Sequence, residues 1–507
     1  MQLRRSLGPV DVVLFFVVAG SNLQWIAAAA AAGPSSLAVW LIGCLAMFVP
    51  LSIAVVFLSS HYPDEGGLYV WSKRAFGPFA GFITGWTYWA SNLPYLPALL
   101  YFAAGNALFI AGSRGRVLSA SPLYFIAVAL GGLALATILN VYGLQIGKWL
   151  TNIGGVARWS ATLLLMTLGA IAWWRFGSAT HLSVAALRPG VHIKDLIFWS
   201  VIAFAWTGPE AIAFMGGEIQ RPRRTIPIAL AIASPLIAGI YIAGTLSLLV
   251  AAVPHDISPS SGVMDGVSRL ASRFGWNALT PFIALLVALS CIGSVGAWLG
   301  AIARIPFVAG IDRYLPDAFG RMHPRWGSPV AALVTQAAIA ALFIFLGQGG
   351  TSVSGAYDVL VSSTVIITLL PFLFASALKL RGAVGSPIEF RIPGGAATIF
   401  VAACIGLATT FVAIVAAAAV AAAVHRTPLF AAYLSRVLDV RIDLTATRRP
   451  LVIERAAHVG AMLLGFGPNR HEDASLAQSF LVLSCMTFAD AHADQAANDA
   501  AARGTRA

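Results

Sequence analysis

The sequence predicts an all-α polytopic membrane protein: a five-plus-five inverted repeat with broken first and sixth helices, about 11 recognisable transmembrane helices in all, and a polar C-terminal tail. Three observations carry that prediction. Hydrophobic residues make up 59% of the 507-residue chain and charged residues only 10%, a balance too apolar for a soluble multidomain protein. Charge-free runs, each long enough for one or two spans of about 20 residues, recur as far as residue 424. Two spans five apart are each opened by an aspartate and then interrupted by glycine with serine or proline at comparable depth.

With Pro, Gly and charge read as punctuation, spans fall near residues 10–32, 37–60, 77–112, 122–141, 152–174, 195–216, 227–252, 278–305, 329–347, 355–378 and 396–424. The third is long for one crossing, and Pro94 and Pro97 should bend it. Residues 1–424 form a transmembrane domain, with repeats near 10–174 and 195–378 and an extra helix at 396–424; residues 425–507 form the tail. Arg4, Arg5 and the alanines at 27–32 imitate a cleavable signal. The apolar stretch runs on past those alanines, so this is read as the first permanent helix.

Lys and Arg in the connecting segments set the orientation. A cytoplasmic N terminus puts fifteen of them inside and seven outside, which predicts that topology in the cell membrane. The same bias explains the net charge of +12 without a nucleic-acid partner. Cys44, Cys291, Cys404 and Cys485 stand alone and are read as packing residues. The five histidines before residue 425 lie at span ends or in loops. No metal site, no cofactor and no catalytic constellation is expected.

Asp11 opens the first span and Gly20-Ser21-Asn22 interrupts it; Asp195 opens the sixth and Thr207-Gly208-Pro209 interrupts that one. An odd number of spans between equivalent positions inverts topology, so the halves are related by a pseudo-twofold axis in the membrane plane. The segments VWSKRAFG (70–77) and VSRLASRFG (267–275) occupy matching places in the two halves. An unwound stretch in hydrocarbon is costly unless it faces a polar cavity. Pro209 frees the carbonyl of Ala205, while Gly20 and Gly208 permit close approach of backbone. Half-helix N termini and freed carbonyls together suit a zwitterion, with its carboxylate on the one and its ammonium on the other.

Two ionisable residues lie within spans. Glu210 sits beside the second break and is the candidate for coupling proton occupancy to conformation. Arg158, in the fifth span, keeps its proton in any ordinary site and is either a fixed positive charge or an arginine snorkelling to the inner interface. Asp11 and Asp195 favour their helix dipoles and are assigned no chemistry, and Asp358 is read as interfacial.

The stretches YPDEGGLYVWSKRAFGPFAGFITGWTYW (62–89), AFAWTGPEAIAFMGGEIQRPRRTIPIA (203–229) and ARIPFVAGIDRYLPDAFGRMHPRWGSPV (303–330) resemble the amino acid/polyamine/organocation transporters. The likeness covers roughly residues 8–415, and its flavour is that of the amino acid antiporters. It implies alternating access, with the substrate carboxylate on Gly20, Ser21 and Asn22 and the amino group near Phe204, Ala205 and Thr207. It also implies an aromatic that closes over the substrate, which Phe204 matches best with Trp206 as rival, and a proton-linked gating role for Glu210. The sequence departs from the family pattern in Asn22, which replaces a commoner glycine and adds an amide to the pocket. Arg158 matches a fifth-span lysine that stands where sodium-coupled relatives hold the ion, which argues for exchange or proton coupling.

Family members usually have a twelfth span, whereas residues 425–507 hold nine Lys or Arg and eight Asp or Glu and no spanning run. Two accounts stand: a natural polar tail, or a reading frame that leaves the family's near residue 416. Family dimers often use the last spans, so a homodimer is an open partner alongside substrate, protons and lipid. The expected activity is secondary active transport of an amino acid or related amine. The alternatives are a polyamine or organocation permease, or a nontransporting sensor of the same fold. A membrane-embedded enzyme is disfavoured, because a lone Glu and a lone Arg do not gather acid, base and nucleophile at one depth. Trp86, Asn92, Ser290, Ser294 and Trp298 are candidates for the specificity pocket, with inward-facing members not distinguishable from sequence.

Overall fold

Proline occupies the first turn of four long helices, where its missing N–H costs nothing and its fixed φ suits the helix. These are α1 (Pro9–Gly20), α6 (Pro78–Ala107), α8 (Pro122–Val141) and α11 (Pro222–Ala251). The computed structural model describes residues 5–190, 193–258, 261–348, 371–381 and 392–424. Among these, eight helices are long and apolar enough to cross a membrane.

The first span is two helices. After α1 the chain is extended at Ser21 (φ −137°, ψ 111°) and Asn22 (φ −114°, ψ 127°), and α2 resumes over Leu23–Ala32. The second span comprises α3 (Ser35–Gly43), a π turn at Cys44–Phe48 and α4 (Val49–His61). A short α5 (Leu68–Phe76) leads into α6. A one-turn α7 (Gly115–Leu118) precedes α8, and α9 runs Leu144–Phe176. The sixth span is broken like the first: α10 (Ile193–Ala205) stops, Gly208 turns with φ 123°, and Pro209–Glu218 continues as 3-10 helix.

The second half follows the same plan. After α11 come α12 (Gly262–Arg273), α13 (Leu279–Ile302), a short α14 (Arg304–Ile311) and α15 (Val330–Gln348). The fragments Pro371–Leu380 and Gly395–Val424 complete the described helices. The alike segments 70–77 and 267–275 fall on α5 and α12, each between the second and third span of its half. Residues 1–413 cluster as one unit and 414–507 as a second, of which only the end of the last helix is described.

The third span is one 30-residue helix with Pro94 and Pro97 inside it. Other expectations are corrected. The fifth begins at Leu144 rather than near 152, because Lys148 is not a boundary but turns onto Asp11 at 2.9 Å. Cys291 is buried as expected, but Cys44 is half-buried and Cys404 is exposed on the outward face of its helix, where a thiol suits lipid as well as core. Asp358, Cys485, the tail and most of the tenth span lie outside the described residues.

Small residues bring α9 and α13 into backbone contact. A Cβ on Gly154 would stand 2.6 Å from the Cα of Gly293, so neither position has room for a side chain. Towards the N terminus, Leu7 pairs with the strand-like end of the sixth span: its N–H donates to the Glu218 carbonyl at 3.1 Å, and the Gln220 N–H donates to its carbonyl at 2.9 Å.

Candidate functional site

The two breaks touch. A Cβ on Gly208 would lie 2.8 Å from the Ala19 carbonyl oxygen and 2.9 Å from the Gly20 Cα, and its φ of 123° is one that other residues rarely adopt. Glycine is therefore demanded there twice, by conformation and by the opposing chain.

A cavity opens beside this contact, lined by Ala19, Asn22 and Trp25 of the first span, Tyr88, Asn92 and Tyr95 of α6, Phe204, Ala205, Thr207 and Glu210 of the sixth, and Trp298 of α13. Of the sequence-based candidates, Asn22, Phe204, Ala205, Thr207, Glu210, Asn92 and Trp298 line it. Gly20, Ser21 and Gly208 form the adjoining backbone. Trp206 does not reach it. Its ring is fully buried on the far side, 4.9 Å from the Phe48 ring, 5.5 Å from Trp40 and 5.1 Å from Tyr241. Phe204, by contrast, meets the edges of Trp25 at 5.9 Å and Tyr95 at 6.4 Å across the cavity.

The break carbonyls are not bare. The Tyr241 hydroxyl accepts the Asn22 N–H at 3.1 Å and faces two carbonyls, Ala205 at 2.8 Å and Gly20 at 3.2 Å. One phenol thus clasps both broken helices in a spot where unpaired backbone groups are costly. The Phe204 carbonyl accepts from the Thr207 N–H at 2.9 Å and from its hydroxyl at 2.7 Å. Ser21 donates to Val17 at 2.5 Å, back within its own helix. The side-chain amide of Asn22 donates to the Tyr95 hydroxyl at 2.6 Å.

Arg158 is fully buried, which removes the snorkelling alternative. The Gly154–Gly293 crossing lays its helix on α13. Its guanidinium donates to Ser294 Oγ at 2.6 Å, the Ser290 carbonyl at 3.2 Å, Asn22 Oδ1 at 3.2 Å and the Val18 carbonyl at 3.4 Å. No carboxylate is among these partners, so a fixed positive charge stands directly behind the first break. Ser290 and Ser294 serve the arginine rather than lining the cavity, and Trp86 packs on Trp89 and Phe82 outside it.

Glu210 is buried beside the second break. One oxygen accepts the Gly208 N–H at 2.9 Å and the other the Tyr88 hydroxyl at 2.8 Å. The carboxylate therefore stabilises the turn that makes the break. Tyr241, Tyr88, Tyr95 and Trp25 are the site residues that sequence reasoning missed. A tyrosine or tryptophan in an apolar span is ordinary, and only the breaks opposite them give them a role. Among the described residues no group of three or more His, Cys, Asp or Glu is placed to hold a metal.

A sequence model of the family described as amino acid permease matches residues 10–438. An uncharacterized transporter of Legionella pneumophila is 29% identical over 404 residues, covering 77% of this chain and 85% of its own. A probable agmatine/putrescine antiporter of Lactococcus lactis is 26% identical, covering 62% of this chain and 67% of its own. A glutamate/serine transporter of Bacillus subtilis is 23% identical, with 69% and 67% covered. Among solved structures, MhsT in complex with L-phenylalanine matches with a TM-score of 0.56 at 15% identity, over 83% of this chain and 99% of that one, a likeness of fold.

Proposed function

This chain belongs to the amino acid permease family, transporters rather than enzymes, and from that premise we propose that it moves amino acids across the membrane by alternating access, as an exchanger or with protons. The observation that carries the reading is charge placement around the paired breaks: the Arg158 guanidinium stands behind Asn22, and the Glu210 carboxylate stands beside Thr207 and Gly208. A zwitterion lying across the breaks meets a positive field at its carboxylate and carbonyl oxygens with a nearby carboxylate at its ammonium. Substrate carboxylate lies at Gly20, Ser21 and Asn22, and its ammonium at Phe204, Ala205 and Thr207, with Phe204 closing the cavity. Entry of the substrate displaces Tyr241 from at least one backbone group, which couples occupancy to the relative position of the two spans.

A polyamine or organocation permease is the second reading, and Arg158 weighs against it. A diamine brings no anion to a buried guanidinium whose partners are all neutral. The same fixed charge fills the place of a sodium ion, so coupling runs through exchange or through a proton on Glu210. With the N terminus cytoplasmic, the Leu7–Ile219 pairing closes the cytoplasmic side of the site.

Counterflow in proteoliposomes tests the assignment. Vesicles loaded with an unlabelled panel of amino acids are expected to accumulate the matching labelled one against dilution. Binding in a thermal-shift assay without flux would identify a sensor instead.

A further inference from the structure

Below the first cavity, one helical turn nearer the N terminus, lies a second that the breaks do not explain. Ala19 lines the first and Phe15 the second, four residues apart on one face of α1. On the sixth span Glu210 lines the first cavity and Met215, five residues further along, lines the second. The polar walls of the second cavity are Asp11, Asn140, Lys148, Thr151 and Asn152. Lys148 donates to Asp11 Oδ2 at 2.9 Å, and Asn152 donates to Asp11 Oδ1 at 2.7 Å. Asn152 Oδ1 is itself buried and has no partner among the described residues. Both charged side chains are mostly covered, 13% exposed for Asp11 and 22% for Lys148.

We infer that this cavity is a second station for the transported zwitterion, with Lys148 receiving its carboxylate and Asp11 with Asn152 Oδ1 receiving its ammonium. The inference rests on the amino acid reading of the central site. Its physical basis is partner exchange. Parting a covered ion pair strands two charges and is costly. A zwitterion inserted between them gives each a new partner of opposite sign, so the pair opens without leaving a charge alone. A diamine offers Asp11 a partner but brings a cation to Lys148, and an anion without an amine does the reverse. The pair therefore acts as a chemical filter at the N-terminal end of the route. It also holds the first half of α1 in place, because Lys148 bonds the Ser6 carbonyl at 3.1 Å as well. Substrate arrival at Asp11 and Lys148 thus releases the helix whose movement clears the exit.

The test uses the full-length protein in oriented proteoliposomes, with the amino acid that gives the largest counterflow in a panel of twenty as probe. Asp11→Asn and Lys148→Met are each expected to raise KM at the N-terminal face by about tenfold while leaving KM at the opposite face unchanged, and Lys148→Arg retains most of the wild-type value. Equal changes at both faces would show a merely structural role, and unchanged KM at both faces would show that substrate does not stop there; either overturns the inference. Should Asp11→Asn fail to fold for want of its bond from the Gly8 N–H, the lysine variants decide alone. Counterflow that is absent from the wild type defeats the amino acid reading itself, and counterflow that persists with unshifted N-terminal KM in the variants defeats only the second station.

Discussion

Tyr241 of α11 donates its hydroxyl to the Ala205 carbonyl at 2.8 Å, and the same oxygen accepts the Asn22 N–H at 3.1 Å. Two helices interrupted in opposite halves of the sequence are thereby held by one side chain of a third.

Tyr241→Phe removes that clasp and nothing else of the ring, which stays stacked on Trp40 at 4.3 Å. Leaving buried backbone groups unpaired costs about 1–3 kcal/mol. The melting temperature is expected to fall by several degrees and exchange to drop about tenfold. Scanning fluorimetry with and without substrate, alongside counterflow, checks both. An unchanged exchange rate would mean that the clasp is not part of the transport cycle.

Phe204 and Trp206 are expected to separate cleanly. Phe204→Ala enlarges the cavity and raises KM about tenfold with little loss of stability. Trp206→Phe leaves KM alone, because the ring does not reach the cavity, and it deletes a buried indole N–H that has no partner among the described residues. Initial rates over a concentration series distinguish the two. A larger KM effect at Trp206 would reverse the assignment of the closing aromatic.

Glu210→Gln tests coupling. The carboxylate accepts from two donors, the Gly208 N–H and the Tyr88 hydroxyl, and an amide can accept at only one of its two positions. Stability falls by about 1–3 kcal/mol, and transport measured between about pH 5 and pH 8 becomes independent of pH if Glu210 carries the proton. A pH profile parallel to the wild type's would remove it from that role.

Arg304 (α14) binds Glu218 through two nitrogens at 2.9 and 3.0 Å, with Glu65 at 3.5 Å. Glu65 lies in the loop after α4; burial, then the charge of Glu218, pushes its carboxyl well above the ordinary 4.5, against the pull of Arg304. A raised folded value means a proton taken up on folding. That contribution is complete below about pH 4.5 and is lost as pH rises through the folded value. Glu65→Gln should therefore flatten the fall in melting temperature from about pH 5 to pH 8. Arg304→Ala leaves the buried Glu218 carboxylate without its cation and is expected to destabilise by about 3–5 kcal/mol. A wild-type melting temperature that rises over that interval would contradict the sign.

Much of the architecture was legible because hydrocarbon punishes irregular backbone. Gly20-Ser21-Asn22 and Thr207-Gly208-Pro209 stand out in apolar runs, and the structure unwinds the chain at both. The span Pro122–Val141 ends where its flanking residues say it should. Lys148 misled, since a lysine in a long apolar run reads as an interface until its partner Asp11 is seen across the bundle. The direction of Trp206 was not legible, because helical periodicity stops at a break and nothing local says which face the next side chain takes. Tyr241 was invisible for a different reason. Its role depends on two segments about 36 and 220 residues away, and no pattern within α11 announces them.

Binding at the two broken spans of a solute that carries both a carboxylate and an ammonium is open to direct test. The most direct measurement is counterflow of the transported amino acid in competition with its methyl ester, its N-acetyl derivative and its decarboxylated amine, all with the same side chain. Only the intact zwitterion is expected to compete, with each single-charge analogue at least about a hundredfold weaker. Equal competition by the decarboxylated amine would contradict it and place the substrate among the organic cations.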